Sequence, residues 1–85
     1  MRVKKGILLE KLGKKFVAYD NETSNLHELN ETAFLILQEL KKGKAKQNII
    51  KKLSSEFKVS QREAEKDFRD FLKELESKEL IEGKI

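Results

Sequence analysis

The stretch Asn25-Leu26-His27-Glu28-Leu29-Asn30-Glu31-Thr32-Ala33-Phe34-Leu35-Ile36-Leu37 is where the hydrophobic period of this chain changes. Up to Leu29 the pattern is that of a short strand. From Ala33 the apolar residues Ala33, Phe34, Ile36, Leu37 and Leu40 recur at helical spacing. Asn30 sits at the switch and is a good N-cap, because its side-chain oxygen can accept from the free N–H groups of the first turn. The chain therefore divides into a strand half before Asn30 and a helix half after it.

Before the switch, Ile7 to Leu9 and Phe16 to Tyr19 read as two further strands. The polar, glycine-containing segment Lys11 to Lys15 forms one turn and Asp20 to Asn25 the next. Three strands with tight connections predict an antiparallel meander. After the switch, Lys41-Lys42-Gly43 ends the first helix. A second apolar stripe, Ala45, Ile49, Ile50, Leu53 and Phe57, predicts the next helix. Ser60-Gln61-Arg62-Glu63 is a capping box that starts the third. In that helix Ala64, Phe68, Phe71, Leu72 and Leu75 form the stripe, and Glu65–Arg69 and Glu74–Lys78 are spaced as i,i+4 pairs. Leu80 and Ile81 are expected to close the core, and Gly83-Lys84-Ile85 to fray. Strands segregated from helices make an α+β domain, here a three-stranded antiparallel sheet followed by three helices, with a winged helix-turn-helix shape.

The 85 residues suit a single domain spanning 1–85. There is no cysteine and one histidine, which excludes disulfides, thiol catalysis and Cys-ligated metals. No apolar run approaches the roughly 18 residues of a membrane span, and the basic start lacks the apolar stretch of a signal peptide, so a cytoplasmic protein is expected. The four glycines are too dispersed for a phosphate loop. His27 and Glu28 are adjacent in a strand and point to opposite faces, which makes a poor dyad and reads as a surface histidine. Asp67, Asp70 and Glu74 share a helix edge and read as a solvated face rather than a cation site. No catalytic residue, metal site or cofactor is expected.

What remains is binding. The outer strands of a meander leave backbone groups unpaired, and this chain has no proline to guard them. The strand near 25–29 is either protected by its shortness or a docking edge for an extended peptide. Net charge is +4, unevenly placed. Residues 41–58 carry seven basic and one acidic side chain, whereas residues 61–79 carry five basic and seven acidic ones. A DNA-binding winged helix-turn-helix protein is the alternative reading. The acidic third helix argues against it, because a recognition helix approaches phosphates.

Residues 17–35 resemble the opening of PqqD-like proteins, in which an Asp-x-Glu-Thr turn leads into a short strand ending Leu-Asn-Glu-Thr-Ala. Here these are Asp20, Glu22 and Thr23, then Leu29 to Ala33. Ile49, Ile50, Leu53, Glu56-Phe57, Val59, Asp67, Phe71-Leu72, Leu75 and Leu80-Ile81 continue the likeness through residue 81. The family's turn before its third strand often holds glycine, whereas this chain has Ser24-Asn25, which leaves the hairpin type open. The resemblance implies a recognition element that binds the leader of a ribosomally made precursor peptide. It would present that peptide to a separate modifying enzyme, such as a radical enzyme or a peptidase–cyclase pair. It further implies that the leader pairs with Asn25, Leu26, His27 and Glu28 and lies against a helix-three wall of Asp67, Phe68, Phe71 and Leu72. At 100° per residue Leu72 falls at the margin of the stripe and suits a cleft wall, while Leu75 is central and suits the core. A proline at His27 tests the edge, provided that residue's N–H faces it.

Overall fold

The computed structural model describes residues 1–83. Strands β1 (Arg2–Val3), β2 (Ile7–Leu12), β3 (Lys15–Asp20) and β4 (Asn25–Leu29) precede helices α1 (Glu31–Lys41), α2 (Lys46–Phe57) and α3 (Gln61–Ser77), and β5 (Ile81–Glu82) follows. The order β2-β3-β4 is the expected antiparallel meander, and the α+β class holds. One sheet was not anticipated. β1 and β5 form a two-stranded ribbon that sets Arg2 opposite Glu82 and Val3 opposite Ile81. The Arg2–Glu82 ion pair at 3.1 Å and the Lys4 N–H bond to the Leu80 carbonyl at 3.0 Å tie the two ends of the chain together. Lys84 and Ile85, where fraying was expected, lie outside the described residues.

The two connections show why these strands pair. β2 and β3 run longer than expected, leaving Gly13-Lys14 as a two-residue loop with positive φ (64°) on Gly13 and not on Lys14, the signature of a type II′ hairpin. In the second loop the Asp20 carboxylate accepts from the N–H groups of Glu22 (2.9 Å) and Thr23 (3.3 Å). Ser24 takes the positive φ (62°) that a glycine would otherwise supply. The other Asp20 oxygen accepts from Lys4 Nζ at 2.9 Å. That bond, assisted by the two backbone donors and opposed by burial, holds the Asp20 carboxyl down to about 2.

Ile7, Ala18 and Leu29 bring the sheet's inner face to the core, where they meet Ile36 and Leu37 of α1, Ile49 and Leu53 of α2, and Phe68, Leu72 and Leu75 of α3. Leu80 and Ile81 close it as expected. Phe16 and Phe34 stack at 5.0 Å between centroids, tilted by 48°. Asn30 Oδ1 accepts from Ala33 N–H at 2.8 Å, and Ser60 Oγ accepts from Glu63 N–H at 3.1 Å, so both N-caps form, whereas the return bond of the capping box, from Ser60 N–H to the Glu63 carboxylate, does not. Of the two i,i+4 pairs, Glu74–Lys78 forms at 2.8 Å. Glu65–Arg69 does not, and Lys66–Asp70 approaches instead at 3.9 Å.

Two residues differ from their expected places. Leu72 is fully buried, like Leu75, and so is Phe68. The helical wheel treats α3 as covered from one side. In the fold α1, α2 and β5 all pack on it, so the buried arc runs from Ala64 through Leu72. Neither Phe68 nor Leu72 presents a surface.

Candidate edge-strand binding site

The register of the meander decides which backbone groups are open. Residues facing across an antiparallel pair alternate between bonded and non-bonded positions. A two-residue hairpin is closed by a bonded pair, here Leu12 with Lys15. The bond from Asn21 N–H to the Gly6 carbonyl at 2.9 Å has the same parity at the other end. It follows that Leu8, Glu10 and Leu12 turn their backbone groups toward β3, while Ile7, Leu9 and Lys11 turn theirs away. On β3, Phe16, Ala18 and Asp20 then bond across to Leu29, His27 and Asn25. This leaves Leu26 and Glu28 as the β4 residues whose N–H and C=O face the open edge. The proviso attached to a proline at His27 therefore fails: that N–H is spent on Ala18.

The side chains of β4 alternate as strand geometry requires. His27 is half-buried on the helix side of the sheet, alongside Ala18 and Leu29. Leu26 is 64% exposed on the outer side, opposite Tyr19 and, beyond it, Leu8. Glu28 and Asn25 are exposed.

Helix α3 has two unlike margins. On one, burial stops abruptly between Leu72 and Glu65, about 20° apart on the wheel. On the other it fades through Phe71, Lys78 and Asp67, all half-buried. Asp67 makes no ion pair or side-chain hydrogen bond among the described residues, whereas Asp70 and Glu74 each have a lysine. An apolar ring and a free carboxylate thus lie one turn apart on that margin. No cluster of three or more His, Asp or Glu side chains among the described residues is placed to hold a metal ion.

Of the sequence-derived candidates, Asn25, Leu26, His27 and Glu28 sit on an edge strand, and Asp67 and Phe71 on the graded margin of α3. Phe68 and Leu72 lie behind Phe71 in the core. The division of β4 into open and spent residues was missed, although the length of the Gly13-Lys14 loop was the signal that could have given it.

The family model of coenzyme PQQ synthesis protein D (PqqD) matches residues 15–81. Two solved structures are similar. TbiB1 in complex with the TbiA(beta) leader peptide is 27% identical, with 100% of this chain and 99% of that one covered at a TM-score of 0.85. A lasso peptide synthetase B1 complexed with the leader peptide is also 27% identical, with 91% of each chain covered at a TM-score of 0.75. No curated protein sequence matches.

Proposed function

The chain belongs to the family of coenzyme PQQ synthesis protein D (PqqD), and from that premise we propose that it is a leader-peptide-binding module without catalysis of its own. It captures a ribosomally made precursor by strand addition and presents it to a separate modifying enzyme. The observation that carries the reading is the open edge of β4, in a fold that matches along its whole length a chain solved with a leader peptide. We take the whole domain as the recognition unit and place it in the cytoplasm, where a ribosomal precursor is made.

The chemistry follows from the parity of β4. Leu26 and Glu28 offer two N–H and two C=O groups, enough for four backbone bonds to an added strand. At a net ~0.5–1.5 kcal/mol each, such bonds fix register but are blind to sequence. Selectivity has to come from alternate leader side chains. Those on the helix side meet His27, Phe71 and Asp67, which suits an apolar anchor next to a basic group. Those on the outer side meet Leu26 and Tyr19. Phe68 and Leu72 back the wall and position Phe71. Chemistry is left to the partner, since His27 and Glu28 point to opposite faces and form no acid–base pair.

The test is a titration of isotope-labelled protein with a leader peptide, followed by chemical shift. Perturbation of Leu26, Glu28 and Phe71 is expected. Shifts confined to α2, with residues 25–28 silent, would overturn strand addition at this edge.

A further inference from the structure

The meander has a second open edge. On β2, Ile7, Leu9 and Lys11 direct their backbone groups away from β3, by the parity derived above, and no described strand pairs with them. The Ile7 carbonyl is taken by Lys41 Nζ at 2.8 Å. Leu9 and Lys11 are left, two residues with open N–H and C=O, as on β4. Beside them runs a groove of about 310 Å³ walled by Leu9, Phe16, Phe34, Leu35 and Phe57. Glu31 and Glu56 stand on its rim, and its one cation, Lys11, lies over the Phe16 ring at 5.5 Å from the centroid. The outer face of the same strand carries Leu8 and Leu12, 55% and 56% exposed.

An inward-pointing lysine on an edge strand is a common guard against pairing. Here Lys11 is drawn against an aromatic face, leaving the groove open next to unpaired backbone. A strand added to β2 would find apolar surface on both of its sides, the groove within and Leu8 and Leu12 without. The two rim carboxylates call for a basic side chain flanking the apolar anchor.

Symmetric pairing of two copies through β2 does not fit. Antiparallel self-pairing about Glu10 sets Glu10 opposite itself, and pairing about Lys11 sets two lysines together, each a like-charge contact. Pairing about Leu9 needs the Ile7 carbonyl that Lys41 already holds.

We propose that the β2 edge and its aromatic groove form a second strand-addition site, which receives an extended segment of another protein, apolar at alternate positions and basic beside its anchor. A leader on β4 and this segment on β2 would flank the same sheet, so one module could hold both at once.

The probe is a capped Val-Lys-Val-Leu-Val-Lys peptide, with a version carrying Glu for Lys as control. Titrated into labelled protein, the basic peptide should shift Leu9, Lys11, Leu35 and Phe57 and slow exchange of the Leu9 and Lys11 amides, and these shifts should persist in Glu28→Pro protein, whose β4 edge is blocked. Lys11→Pro removes an open-edge donor and should weaken the probe at least tenfold while leader binding is retained. Glu28→Pro should do the reverse, so failure at β2 is read separately from failure of the leader assignment. Glu56→Lys, at an exposed rim position, should reverse the preference between the two peptides without touching the backbone edge. No shift at β2, shifts at Leu26 and Glu28 instead, equal binding of the two peptides, or concentration-dependent dimerisation through β2 would each overturn the proposal.

Discussion

Replacing Glu28 with proline isolates the backbone of the β4 edge from everything else in the domain. Its N–H faces open solvent, so proline removes no ladder bond, and the preceding residue is already extended as proline demands. Stability should change by under about 1 kcal/mol. A bound leader would lose one bond at ~0.5–1.5 kcal/mol and leave one of its own carbonyls unpaired against the ring, at roughly 1–3 kcal/mol more if that group is kept from water. The sum is about 1.5–4.5 kcal/mol, or ~10–2,000-fold in Kd. His27→Pro is the contrasting variant. Its N–H bonds the carbonyl of Ala18, a fully buried residue, so the same substitution should destabilise the fold by about 2–4 kcal/mol. Calorimetric titration with a leader peptide measures the first effect, and urea unfolding the second. If Glu28→Pro binds the leader as the parent does, or if His27→Pro leaves the unfolding midpoint in place, the assigned parity is wrong.

Leu72→Ala and Leu75→Ala should cost similar stability, about 2–5 kcal/mol each, because both side chains are fully buried; a denaturation midpoint for Leu72→Ala close to that of the parent would place it on a surface. Phe71→Ala, at a half-buried position, should weaken leader binding by about 1–2 kcal/mol and lower stability less than Leu75→Ala does, which paired titration and unfolding curves resolve. Ser60→Ala should destabilise by ~1 kcal/mol through loss of the bond from Glu63 N–H, with a change of only a few tenths arguing against the cap. The depressed Asp20 carboxyl adds stability that is present above its unfolded pKa near 4 and is lost as pH falls through its folded value of about 2. Asp20→Asn should flatten the stability profile over that interval, and an unchanged profile would show that the Lys4 pairing does not persist in solution.

Much of the fold was legible because its signals are local. Asn30 and Ser60 cap their own first turns, Gly13 supplies its own positive φ, and the apolar stripes of α1 and α2 lie within single helices. Such features rest on contacts a few residues apart, so a sequence read in windows contains them. The edge strand 25–28 was legible for the same reason, as a short strand between a polar turn and a capped helix.

Tertiary structure alone decided the rest. The β1–β5 ribbon joins residues about 80 positions apart through two-residue strands too short to carry a pattern. Whether Leu72 lies at a margin depends on how many elements surround α3, which no wheel contains. Which β4 amides are free follows from a parity that begins at the Gly13-Lys14 loop and is handed across β3. The groove beside β2 assembles Leu9, Phe16, Phe34 and Phe57 from four separate elements. Sequence alone determined that this chain would form a small α+β domain with the strand near 25–29 at a sheet edge. Which atoms each edge exposes, and that an apolar groove lies beside the second one, followed only when the strands were set in register and the helices packed against them.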